Sequence, residues 1–191
     1  MKKSSVALLI IFSLVTIDQI VKIWVKTTMS IGESFPVLGN WFYIYFVENK
    51  GIAFGLSFGE NIGKLLLSLT RIGIVSVLIY YLFSLIKKKQ ADWTVVIILS
   101  LITAGALGNI IDSLFYGIIW NYASLFYGRV VDMFYFPLFQ IPNWVPHFGG
   151  GYFFPAIFNV ADSCVTIGII AVIIWHKKFF IPQKEENIPQ T

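Results

Sequence analysis

The stretch Trp93-Thr-Val-Val-Ile-Ile-Leu-Ser-Leu-Ile-Thr-Ala-Gly105-Ala-Leu-Gly108-Asn109-Ile-Ile-Asp112-Ser113-Leu114 decides the fold. It carries no charge until Asp112, and roughly 20 mostly apolar residues are what a helix needs to cross a bilayer. Gly105 and Gly108 let a neighbouring helix pack closely. Asn109 and Asp112 stand three apart, hence on one helical face. A carboxylate held against hydrocarbon is costly, so it faces a partner, a cavity or water. Three further apolar runs, about 6–24, 65–86 and 155–175, join 93–114 to predict four transmembrane helices.

The composition agrees. The chain has 191 residues, 57% hydrophobic and 13% charged, with a mean hydropathy of +0.77. That excludes an ordinary soluble domain, and 17% aromatic residues suit a membrane interface. A net charge of +4 could suggest nucleic acid, but the charge lies in clusters at span ends: Lys2-Lys3, Lys87-Lys88-Lys89 and Lys177-Lys178. With four helices these share one side, which the positive-inside rule makes cytoplasmic, with both termini inside. Lys22 and Lys26 go against this trend and need a local reason. The first run is read as a span and not a cleavable signal peptide, because no small-x-small site follows and Asp18 and Lys22 interrupt its end. The lone Cys164 excludes an internal disulfide and reads as packing. His147 and His176 read as incidental loop and headgroup-level residues. Neither metal-ligand spacing nor a Gly-rich phosphate loop is present, so no metal and no cofactor are expected.

Both long connections fall on the outer side. Residues 33–58 are rich in aromatic and β-branched residues with Gly, Pro and Asn punctuation, which reads as short strands in a small extracytoplasmic sheet. Gly51 and Gly55 permit a tight turn there. Residues 115–154 read as an outer loop lying on the membrane, anchored by Trp120 and Trp144, with a short interfacial helix over 116–127. Residues 181–191 form a polar tail frayed in the cytoplasm. The whole, 1–191, is a single membrane domain: an all-α membrane protein carrying a small β-cradle.

Two aspartates carry the functional reading. Asp132 lies in Val130-Val131-Asp132-Met133 and Asp162 in Phe158-Asn159-Val160-Ala161-Asp162-Ser163, both in apolar surroundings. Asn159 and Asp162 repeat the Asn-x-x-Asp spacing of 109 and 112. Two readings stay open: a shared polar site, or hydrogen-bonding glue between helices. Two carboxylates brought together can share one proton, the working arrangement of an aspartic peptidase. A small transporter or ion-coupled permease is the alternative, although the second span holds only Arg71 as a charge. A non-catalytic scaffold would leave the two aspartates unexplained.

On these residues the chain resembles the lipoprotein signal peptidase (signal peptidase II) family over nearly its whole length. The motifs are Asp18-Gln-Ile-Val-Lys22, Glu48-Asn49-Lys-Gly51 with Ala53-Phe54-Gly55, Gly105-Ala-Leu-Gly108-Asn109-Ile-Ile-Asp112, Val130-Val131-Asp132 and Phe158-Asn159-Val-Ala161-Asp162-Ser163. The resemblance implies four membrane helices, a β-cradle and an interfacial helix in the bacterial inner membrane, with the active site near the outer leaflet. It implies removal of signal peptides from diacylglyceryl-modified prolipoproteins, with the cut just before the lipidated cysteine. It also implies a catalytic dyad of Asp132 and Asp162. Asn49, Gly108, Asn109, Asp112, Asn159 and Ala161 would line the substrate groove, with Asp18 and Lys22 as a polar pair beside it. The expected partners are the prolipoprotein and membrane lipid, with no nucleic acid, and the protein is expected to be a monomer. Two departures stand out. Ser113 occupies a position where the family usually has Arg, for which Arg129 is the substitute nearest the dyad in sequence. The segments 113–129 and 133–154 are also longer than the usual pattern.

Overall fold

A computed structural model describes residues 1–51, 59–88, 92–147 and 149–180; parts of the predicted 33–58 cradle (including Ala53, Phe54 and Gly55), Lys89 and the 181–191 tail lie outside them. The elements run α1 (Lys3–Thr28), β1 (Ser34–Leu38), β2 (Phe42–Asn49), α2 (Glu60–Lys87), α3 (Trp93–Ile119), β3 (Val130–Tyr135), β4 (Ile157–Phe158), α4 (Val160–Ile174) and α5 (His176–Phe180).

Three helices, Lys3–Thr28, Asn61–Lys87 and Trp93–Ile119, are long and apolar enough to cross a membrane. The fourth is shorter than the sequence pattern predicts. Residues 155–159 are not helical, and α4 starts only at Val160, because Asn159 caps it. The Asn159 side chain accepts from the Asp162 N–H, and the Asp162 side chain accepts from the Asn159 N–H, a reciprocal capping box. Fifteen residues at 1.5 Å rise fall short of the roughly 30 Å hydrocarbon core. The third helix instead overruns its predicted end and continues to Ile119.

That overrun removes the interfacial helix expected over 116–127. Tyr116 to Ile119 complete α3, and the chain then turns through Asn121 and Phe126, both at positive φ. Gly128 explains the tightness of the return, since a Cβ there would meet the Asp112 carbonyl oxygen at 2.0 Å. Nor is 115–154 a single loop. It holds β3, the third strand of a four-stranded antiparallel sheet in the order β1-β2-β3-β4. Beyond β3, Phe139 stacks on Phe153 at 4.7 Å, and Gln140 pairs with Tyr152.

At the centre of the bundle α3 is close-packed. At Gly105 a Cβ would meet the Ala161 carbonyl oxygen at 2.3 Å, and at Gly108 it would meet Asp18 Oδ2 at 2.5 Å. The small residues of the opening stretch thus seat α4 and α1 against α3. One apolar cluster joins the end of α1 to the sheet through Val25, Ile44, Phe46, Tyr116, Val131 and Met133. A second, with Ala7, Leu82, Val95 and Leu99, ties the opposite end. There Lys3 sits over the Trp93 ring at 5.6 Å, and Lys178 pairs with Asp92 at 3.0 Å.

Candidate active site

The sheet brings the two aspartates together. Pairing of Phe134 with Phe158 and Tyr135 with Ile157 runs antiparallel, so the register would place residue 160 opposite Asp132. Residue 160 is where α4 begins, and Asp162 lies in its first turn. Strand and helix thus deliver one carboxylate each to the junction of sheet and bundle.

Asn159 touches both. Its side-chain Nδ2 donates to Asp132 Oδ1 at 2.6 Å, while its backbone N–H donates to Asp162 Oδ2 at 3.2 Å. Asn109 from α3 donates to Asp162 Oδ1 at 2.7 Å and accepts from Asn159 Nδ2 at 3.1 Å. Asn49, at the end of β2, donates to Asp132 Oδ2 at 3.2 Å. Asp132 is 3% exposed, whereas Asp162 and Asn109 are half-buried and Asn49 is exposed. The site therefore opens on the Asn49 and Asp162 side. Burial first, and then the charge of Asp162, push the Asp132 carboxyl up to about 7 against the opposing hydrogen bonds of Asn49 and Asn159.

Behind this pair lies a buried ionic layer. Lys22 Nζ reaches Asp18 at 2.8 Å, Asp112 at 2.9 Å and Asn109 Oδ1 at 3.0 Å, with no exposure of Lys22 or Asp112. Asp18 Oδ1 accepts the Ala161 N–H at 2.9 Å, so α1 holds the first turn of α4. Asp112 Oδ2 accepts from the Val131 N–H at 3.2 Å, tying α3 to the strand that carries Asp132. Gln19 closes the layer by donating to Asp112 and to the Gly108 carbonyl. Tyr116 donates to Gln19 in turn. Buried charges persist only when paired and hydrogen-bonded in this way. This is the local reason for Lys22.

Lys26 has its own reason, an ion pair with Glu48 and three rings, Phe46, Trp120 and Tyr122, within 5.7 Å.

Most of the residues singled out from sequence meet here. Asp132, Asp162, Asn49, Asn109 and Asn159 form the open face, while Asp18, Lys22 and Asp112 form the buried layer. Gly108 and Ala161 make close helix contacts. Arg129 does not join them: it pairs with Glu48 at 2.9 Å and lies over the Tyr122 ring at 5.2 Å. Sequence reasoning missed Arg71 and Gln19. Arg71 Nη1 donates to Ser113 Oγ, and its guanidinium lies within electrostatic reach of Asp162, Asp112 and Asp132. Its signal was available, since a lone charge in an apolar span marks a site by default.

Comparison with known proteins gives a consistent picture. A family model described as signal peptidase (SPase) II matches residues 10–178. The lipoprotein signal peptidase of Porphyromonas gingivalis is 46% identical over 91% of this chain and 83% of its own. That of Amoebophilus asiaticus is 39% identical over 93% and 79%. A solved bacterial membrane enzyme superposes with a TM-score of 0.66 at 34% identity, covering 89% of this chain and 91% of its own.

Proposed function

The chain belongs to the signal peptidase II family, and from that premise we propose that it is an aspartic endopeptidase whose working carboxylates are Asp132 and Asp162. It is a membrane protease that removes signal peptides from prolipoproteins. The transporter alternative is set aside, because the matched family is one of peptidases.

The observation that carries the aspartic assignment is the bridge through Asn159, which contacts both carboxylates. Hydrolysis of a peptide bond needs an activated water and a proton for the leaving amine. With the Asp132 carboxyl raised to about 7 by burial and by the charge of Asp162, the pair keeps one proton between its two members near neutral pH and titrates as a unit. The ionised carboxylate of the pair takes a proton from the attacking water. The protonated partner polarises the scissile carbonyl and passes its proton on as the bond breaks. Asn49 and Asn109 hold the carboxylates and flank the substrate backbone. Asp112, Asp18, Lys22, Gly108 and Ala161 complete the substrate groove by positioning the elements that carry these groups. Arg71 supplies the cation that the family pattern places at residue 113, delivered from α2 and anchored on Ser113.

The remaining features follow the same reading. The protein is one membrane domain in the bacterial inner membrane with both termini cytoplasmic. Its basic groups Lys3 and Lys178 gather at the end remote from the sheet, which supports that orientation. The site then lies near the outer leaflet, and a monomer suffices because both carboxylates come from one chain. Its substrates carry a diacylglyceryl group on the cysteine that follows the cut. The test incubates purified protein with such a prolipoprotein and follows the mass loss of the signal peptide. Asp132→Asn and Asp162→Asn should each remain folded and lose turnover by roughly 10²–10⁴-fold or more, the worth of a positioned acid or base. Near-normal cleavage by either variant would refute the dyad.

A further inference from the structure

One buried cation takes no part in the site. Lys64, in the second turn of α2, is 7% exposed, and its Nζ has no hydrogen-bond partner among the described residues. The charged groups within its electrostatic reach are Arg71, Asp112 and Arg129. Asp112, the one acid among these, is already paired with Lys22. An unpaired ammonium withdrawn from water is costly, and an anion beside it would offset that cost.

The space beside it has the matching form. A pocket between the start of α2 and the 122–129 turn is lined by Lys50, Asn61, Lys64, Tyr122, Tyr127 and Arg129. No carboxylate lines it among the described residues. Beside Lys64 stand Lys50, Arg129 (which also pairs with Glu48), the side-chain amide of Asn61 and two phenol hydroxyls. The Tyr122 oxygen accepts from the Arg129 N–H at 2.7 Å, which leaves its own proton to donate. The pocket stands at the sheet end of a helix long and apolar enough to cross a membrane, and headgroup phosphates begin where the hydrocarbon core ends.

We infer that this pocket binds a phosphate group, with Lys64 as its central ligand and Arg129 and Lys50 as flanking cations. The phosphate comes either from the headgroup of an anionic phospholipid or from a free phosphate ion. The pocket shares no lining residue with the two aspartates, and the inference does not depend on the proteolytic assignment. It gives Arg129 a role other than substitution for the residue at 113.

Native mass spectrometry of the full chain in detergent provides the test, with dioleoyl phosphatidylglycerol, dioleoyl phosphatidylcholine and inorganic phosphate as probes. The wild type should retain one phosphatidylglycerol in preference to phosphatidylcholine, and Lys64→Met should bind it at least tenfold more weakly. Lys64→Arg should keep most of the affinity. If inorganic phosphate alone distinguishes wild type from Lys64→Met, the pocket serves the free ion. Should Lys64→Met fail to purify, the Asn61→Ala/Tyr127→Phe double variant replaces it, with an expected loss of at least threefold. Equal binding of every probe by the wild type and whichever variant is measured would overturn the proposal.

Discussion

Asp132→Asn tests the electrostatics of the site independently of catalysis. The Asp132 carboxyl stands at about 7 against an ordinary 3.8, and each unit of displacement is worth about 1.4 kcal/mol. The sign follows from proton binding. Between pH 4 and 7 the folded protein keeps a proton that the unfolded chain has lost, so stability falls as pH rises through that window. The ionised group costs nothing below pH 4 and about 4 kcal/mol above pH 7; from pH 5 to pH 8.5 the cost grows by about 2–3 kcal/mol. Asparagine has the same shape and no charge to bury. It faces two amide donors, Asn49 and Asn159, so it forfeits about 1 kcal/mol of hydrogen bonding at every pH. Relative to the wild type, the variant should therefore gain about 2–3 kcal/mol between pH 5 and 8.5, or roughly 5–10 °C in melting midpoint for a chain of this size. Thermal unfolding in detergent across that range, with cleavage measured in parallel, is the assay. A difference in midpoint that stays flat with pH would refute the raised carboxyl, and with it a pair that keeps one proton near neutral pH.

Asn109→Ala should reduce processing more than stability, whereas Asn159→Ala should also lose about 0.5–2 kcal/mol of stability because it removes the α4 cap; equal losses of both in Asn109→Ala would favour the helix-glue reading. Arg71→Gln should lower kcat/KM for lipidated substrate by about 10–100-fold, the worth of a hydrogen bond to a charged group, and Ser113→Arg in that background should restore part of it. If Arg129→Gln lowers kcat/KM more than Arg71→Gln does, the cation has been misassigned. Gly108→Ala should destabilise the fold by about 1–3 kcal/mol, the cost of an extra methyl in a packed core, because its Cβ would meet Asp18 Oδ2 at 2.5 Å and Ala161 at 3.0 Å. An unchanged melting midpoint would show that α1 and α4 yield there.

Much of this was written along the chain. Apolar length gave the three long helices, because bilayer thickness sets a one-dimensional requirement that a sequence either meets or fails. Small residues at 105 and 108 announced close helix packing, and carboxylates among hydrocarbon at 132 and 162 demanded partners, which Asn159 supplies to both. The end of a helix was less legible. Asn159 reads as one polar residue in an apolar run, and only its reciprocal bonds with Asp162 show that it stops the extended chain and starts α4. Residues 130–135 were hidden inside a supposed loop because a strand covered on both faces has no alternation to display. Pairing partners decided the rest. Which cation stands at residue 113 depends on which helix lies beside α3, and proximity in sequence pointed to Arg129. Packing of α2 against α3 brings Arg71 to Ser113 instead, while Glu48 holds Arg129 away. Residue type fixed what chemistry was possible; the distances that select among equivalent charges exist only once the helices are packed.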